Sequence, residues 1–166
     1  MRKFYNEQLA SELNQRAVEE LSAVHQYTTY AQICGNWGYN VLQHEFQEYA
    51  LQELHHAQEL MERILYIGGQ LETNRLEPFQ IPSNATGLLM EFDAAEADAI
   101  ENYNRTIQLS EQVGDYGTAE LIRHILSEEE GHKLWVQRQL DQLEHVGLDN
   151  YLTLKVDNEE EDEEED

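Results

Sequence analysis

Glu53 and His56, and again Glu129 and His132, form two Glu-x-x-His pairs, while Glu20 and Glu96 stand apart as single glutamates. Side chains three residues apart share one face of a helix, so each pair can aim a carboxylate and an imidazole at one point. Together the six residues offer four carboxylates and two ring nitrogens without a thiolate, a donor set that suits iron or manganese and also accepts zinc. Two divalent cations would cancel the four negative charges, and neutral imidazoles would add ligands without disturbing that balance. Two of the glutamates could bridge both ions while each remaining glutamate and each histidine caps one. The Glu-x-x-His spacing is weak by itself in a chain with seven histidines and this many glutamates. Registry gives it weight: Glu20, Tyr27, Glu53 and His56 recur as Glu96, Tyr103, Glu129 and His132, each 76 residues on. An internal two-fold leaves that pattern when each half of the chain supplies half of one site.

Four long helices must position these groups. The breaks fall at GNWG (35–38), GDYG (114–117), Gly147 and the segment LETNRLEPFQIPSN, which holds Pro78 and Pro82, the chain's two prolines. No strand periodicity competes. Two short links and one long one predict two helical hairpins joined by a crossover between the second and third helices, the all-α arrangement of ferritin-like four-helix bundles. LDNYLTLKV is expected to add a short fifth helix. Spacings of three and four trace the seams. They run through Leu13, Ala17, Glu20, Val24, Tyr27, Ala31 and Cys34 on the first helix, and Leu42, Phe46, Tyr49, Glu53, His56 and Leu60 on the second. Leu89, Phe92, Glu96, Ile100, Tyr103 and Ile107 follow on the third, with Ile122, Ile125, Glu129, His132 and Val136 on the fourth. Every seam is apolar except at its middle.

Composition narrows the function further. The chain has 166 residues, 34 acidic against 10 basic, for a net charge of −24. That charge argues against nucleic acid or an anionic membrane as partner, because either needs a basic patch. Nine of the acids lie in Asp157–Asp166, read as a solvated tail of residues 157–166 after a single domain of residues 1–156. No apolar run is long enough to cross a bilayer and no export signal opens the sequence, so a cytoplasmic location is expected. Cys34 alone cannot form a disulfide or a rubredoxin-type iron centre. His25, His44, His55, His124 and His145 lack the registry of the pairs and are read as surface or locally bonded groups. Trp37 and Trp135 are read as packing residues.

One glutamate from each of two helices and a Glu-x-x-His from each of the other two is the constellation of ferritin-like di-iron and di-manganese proteins. The sequence also resembles the bacterioferritin family over nearly all its folded length, in EELSAVHQY, NWGY, ELHHAQELMERIL, SEEEGHKLW and VGLDNYL. That resemblance implies a ferroxidase centre of two iron ions per subunit, held by Glu20, Glu53, His56, Glu96, Glu129 and His132. Tyr27, and Tyr103 by the repeat, are then hydrogen-bonding neighbours of the ligands. It further implies a homo-oligomeric shell of 24 copies built from two-fold dimers. Fe(II) would be oxidised there by dioxygen or hydrogen peroxide and stored as ferric mineral, and a ferredoxin is a candidate donor for iron release. Two positions depart from the family. The methionine that ligates haem at the two-fold is Leu54, which has no donor atom, and Met61 lies about 10 Å further along the helix, so haem is not expected. Glu48 and Gln52 replace the histidine and aspartate that bind an inner-surface iron in some relatives. The alternatives in other classes are a di-iron peroxidase or oxygenase without storage, and a helical interaction module that keeps metal for stability alone.

Overall fold

The computed structural model describes residues 6–156; the acidic run 157–166 lies outside the described residues. The chain forms α1 (Glu7–Asn36), α2 (Asn40–Ile67), α3 (Ala85–Gln112), α4 (Tyr116–Val146) and the short α5 (Leu148–Thr153), with no strand among the described residues. Side-chain caps start three of the helices. Asn6 accepts from the Leu9 amide at 2.9 Å, Asn84 from Gly87 at 2.8 Å and Asp115 from Thr118 at 3.0 Å, each satisfying a donor that the first helical turn leaves open. Gly68, at φ 93°, closes α2 in the left-handed region.

α1 packs with α2 and α3 with α4, and the two hairpins meet through α1–α3 and α2–α4. Tyr27 pairs with Glu96 and Tyr103 with Glu20, so α1 and α3 run in opposite directions. With α1 and α2 antiparallel, α2 and α3 are parallel, and the link between them must travel the length of the bundle.

That link lies along α1. The Asn14 side chain donates to the Gln70 carbonyl at 2.9 Å and accepts from the Glu72 amide at 2.8 Å. Further on, the Glu77 amide donates to Ser22 Oγ at 2.8 Å and the Tyr30 hydroxyl to the Gln80 carbonyl at 2.7 Å. The attachment points advance from Asn14 to Tyr30, about 24 Å of helix at 1.5 Å per residue.

The core divides into two clusters. One is aromatic, built on Tyr27, Tyr30, Phe46, Tyr49 and Phe92, with ring centroids 4.8 Å apart for Tyr27–Phe92 and 5.5 Å for Phe46–Phe92. The other is chiefly aliphatic, with Leu9, Leu13, Leu60, Ile64, Ile67, Ile122 and Ile125. The six predicted polar residues lie at seam positions between them. Most seam residues are buried, but Val24, Ile100 and Ile107 are only half-buried. A strict alternation of three and four drifts about 20° per heptad against a straight helix, which turns some positions toward the rim.

Asn14 is 5% exposed and holds both a carbonyl and an amide of the crossover. Asn14→Ala is expected to cost about 1–3 kcal/mol, measured by thermal unfolding, and to speed proteolysis within residues 70–80. An unchanged melting temperature and cleavage rate would show that the crossover is held elsewhere.

Candidate metal centre

Each helix delivers its polar residues at mid-length: α1 Glu20 and Tyr27, α2 Glu53 and His56, α3 Glu96 and Tyr103, α4 Glu129 and His132. None of the four glutamates or two histidines is more than 5% exposed. One donor atom from each of Glu20, Glu53, His56 and Glu129 lies within 4.8 Å of the others, and the same holds for Glu53, Glu96, Glu129 and His132. The two quartets share Glu53 and Glu129. All six residues singled out from the sequence are therefore together, and the overlap is the arrangement that two ions bridged by two carboxylates require.

The imidazoles are oriented from outside. His56 Nε2 lies 2.6 Å from the Glu128 carboxylate, and His132 Nε2 lies 2.7 Å from the Gln52 side-chain oxygen. Both acceptors fix the ring proton on Nε2 and turn Nδ1 inward. His132 Nδ1 there faces Glu53 Oε1 at 3.1 Å, Glu129 Oε2 at 3.2 Å and Glu96 Oε2 at 3.6 Å. His56 Nδ1 faces Glu53 Oε2 and Glu129 Oε1, each at 2.9 Å. The Tyr27 hydroxyl donates to Glu96 Oε1 at 2.6 Å and the Tyr103 hydroxyl to Glu20 Oε1. These two bonds are images of one another under the 76-residue repeat. Tyr49 packs its ring 4.5 Å from that of His132.

Electrostatics make the cluster costly without a cation. Burial, then the charges of Glu53 and Glu129, push the Glu20 carboxyl well above its usual range, and burial with the charge of Glu129 does the same to Glu96. Burial would also raise Glu129, but the His132 and His56 imidazoles against it hold it low. Burial alone would depress His56; the Glu129 and Glu53 carboxylates overturn that and push it up to about 12. His132 is raised in the same way, chiefly by Glu129 and Glu53. Burial and the neighbouring Glu96 and Glu20 charges lift the Tyr27 and Tyr103 hydroxyls well above their ordinary value, so both keep their protons and act as donors.

Even so, four buried atoms of the cluster have no hydrogen-bond partner: Glu53 Oε1, Glu96 Oε2, Glu129 Oε1 and His132 Nδ1. Among the described residues only Arg16 Nε and Glu59 Oε2 share that condition elsewhere. An isolated buried polar atom costs about 1–3 kcal/mol, and here oxygen and nitrogen donors without partners converge. Divalent cations fit that set in number, hardness and charge.

A cavity of roughly 360 Å³ leads to the cluster between α1 and α3. Its floor includes Glu20, Glu53, Glu96 and Glu129, its rim carries Glu19, Glu77, Glu91 and Asp98, and Pro78–Gln80 of the crossover cover it. Ala23, Ala94, Ala95 and Ala99 line it, and their small side chains leave the space. Sequence reading did not find this passage, nor the roles of Glu128 and Gln52. One signal was available: Gln52 and Glu128 are themselves separated by 76 residues and each precedes a cluster glutamate.

The other histidines lie apart from the cluster. His25 packs edge-on against Phe79 at 5.1 Å, His44 is exposed, and His55 and His124 lie 3.8 and 3.9 Å from Glu59 and Glu128. His145 Nδ1 lies 2.7 Å from the Asp141 carbonyl. Cys34 is buried, and burial pushes its thiol up to about 12. Trp135 packs on Tyr49 and Phe92.

Comparison with known proteins accords with this geometry. The family model described as a ferritin-like domain matches residues 10–146. The chain is 31% identical to a bacterioferritin of Brucella melitensis, over 87% of its own length and 89% of that protein. It is 31% identical to a bacterial ferritin of Synechocystis, over 80% and 86%, and 28% identical to a bacterioferritin of Streptomyces coelicolor, over 87% of each. With four long helices, a short fifth and this match along most of its length, the chain belongs to the ferritin-like proteins and, among them, to the bacterioferritin family.

Proposed function

We propose that the chain is an iron-storage ferroxidase. Two Fe(II) ions are its substrates at the six-residue cluster, and the ferric product is held inside a homo-oligomeric shell, in the resembling family one of 24 copies. The observation that carries this reading is the convergence of buried oxygen and nitrogen donors from four helices, four of them without a hydrogen bond, on two overlapping points. A pair of ferrous ions held there supplies two electrons, enough to take dioxygen to peroxide or peroxide to water.

The protein's part is binding, orientation and access. Glu53 and Glu129 would hold both ions, Glu20 with His56 and Glu96 with His132 would each hold one, and Tyr27 and Tyr103 hold the outer oxygens of Glu96 and Glu20. The acidic rim of the α1–α3 cavity draws cations toward the cluster. Such a lining also argues against an oxygenase acting on anionic organic substrates, because the four rim carboxylates repel them. The bundle needs no haem in this reading. Leu54 stands 37% exposed on α2 without a donor atom, while Met61 packs against the aliphatic cluster.

Light scattering should report a large oligomer, and aerobic addition of Fe(II), followed in the near ultraviolet, should report fast oxidation. Glu53→Gln and Glu129→Gln should each slow that oxidation by at least roughly 100-fold, the upper end seen for outer-shell partners of a metal. Each variant should still assemble into the large oligomer, since glutamine keeps the shape of the side chain it replaces. Fast oxidation by either variant, or a small oligomer without iron uptake, would overturn the reading.

Metal loading should expel protons. The Glu20 and Glu96 carboxyls and the His56 and His132 imidazoles are all shifted toward their protonated forms, and ligands must give such protons up. Affinity therefore rises with pH, by about one order of magnitude per unit for each proton released. Zn(II) calorimetry in two buffers of different ionisation enthalpy tests this; a heat independent of buffer would contradict it. Protein produced with excess haem should show no Soret absorption, and a stoichiometric band would place a ligand that Leu54 does not supply.

A further inference from the structure

The six residues of the cluster and its two tyrosines match residue for residue across the repeat. Glu20 is the image of Glu96, His56 of His132, Glu53 of Glu129 and Tyr27 of Tyr103, and the tyrosine bonds are reciprocal. The groups around the imidazoles do not match: Tyr49, whose ring lies 4.5 Å from that of His132, has Ile125 as its image, and the polar partner behind each ring differs. His56 Nε2 meets the carboxylate of Glu128 at 2.6 Å, whereas His132 Nε2 meets the neutral amide oxygen of Gln52 at 2.7 Å. A carboxylate behind an imidazole increases the basicity of the ring nitrogen that faces a metal and adds a negative charge close to the ion; an amide does the first weakly and the second not at all.

Taking the six residues as ligands, as proposed above, we infer that the dinuclear site fills in a set order: the position of Glu20 and His56 takes its ion first, and Glu128 is the positioning residue that sets this order. The bridging carboxylates contribute equally to both positions and cannot create a preference. Nor does the aromatic or aliphatic packing add a charge on either side. More distant charges differ as well, since His124 lies 3.9 Å from Glu128 and Glu48 precedes Gln52 by one turn. His124 and Glu48 are exposed, so salt screens them, whereas the direct contacts to the rings persist. Outer-shell partners of this kind alter metal affinity by about 10–100-fold, so the two positions should differ by about tenfold at high salt.

Co(II) tests this without oxidation chemistry. Crystals of the whole assembly loaded anaerobically with one Co(II) per chain at high salt should show anomalous scattering at the Glu20–His56 position. Glu128→Gln should spread the scattering over both positions, and the double exchange Gln52→Glu with Glu128→Gln should move it to the Glu96–His132 position. Both substituted side chains are exposed on helix surfaces, so the variants should fold, and calorimetry should show two Co(II) steps drawing together in the single variant. Equal occupancy in the parent, or a preference that the exchange does not reverse, would overturn the inference while leaving the dinuclear reading intact. No Co(II) at either position would overturn both.

Discussion

Four carboxylates meet in the middle of a bundle whose other seam positions are apolar, and this burial of charge is the constraint on which the molecule turns. Ionised and alone, the groups would strongly disfavour the folded state. The chain answers in three ways at once. Burial shifts two carboxyls toward their protonated forms, the remaining carboxylates shift two imidazoles toward their charged forms, and two tyrosine hydroxyls donate from the flanks. The answer is incomplete, since four atoms still lack partners. That residue of unsatisfied bonding is what makes the cluster able to hold a cation.

The remainder of the fold keeps the cluster from collapsing or escaping. An aromatic cluster and an aliphatic cluster grip the bundle on either side of the polar layer. Close-packed interiors resist deformation, so the helices are kept from closing over the gap. The donor atoms are thus held near one another before any ion arrives, which reduces the ordering that binding must impose.

The bundle and the six polar residues were legible in the sequence because both depend on local periodicity. Glu20 and Glu96 break apolar seams, and His56 and His132 follow glutamates at a spacing that only a helix makes meaningful. The covering of the site was not legible. Asn14 lies one position beyond Leu13 on a helix rich in polar residues, and its bonds to Gln70 and Glu72 join points 56 and 58 residues apart. Gln52 and Glu128 are exposed residues among many others, and only the paths of α2 and α4 bring each behind the histidine of the other helix. The passage between α1 and α3 arises from alanines, residues that announce nothing by themselves.

The crossed tyrosine bonds bear on how such a molecule could arise. Each half-chain is a hairpin carrying a tyrosine, two glutamates and a histidine, and neither half closes its own cluster. Head-to-tail duplication of a gene for one hairpin, whose product once worked as a pair of identical copies, would leave this imprint. In this chain the six cluster positions meet at one common centre, while residues 52 and 128 each face a single ring. One chain lets residues 52 and 128 differ, whereas two identical hairpins could not tell their halves apart.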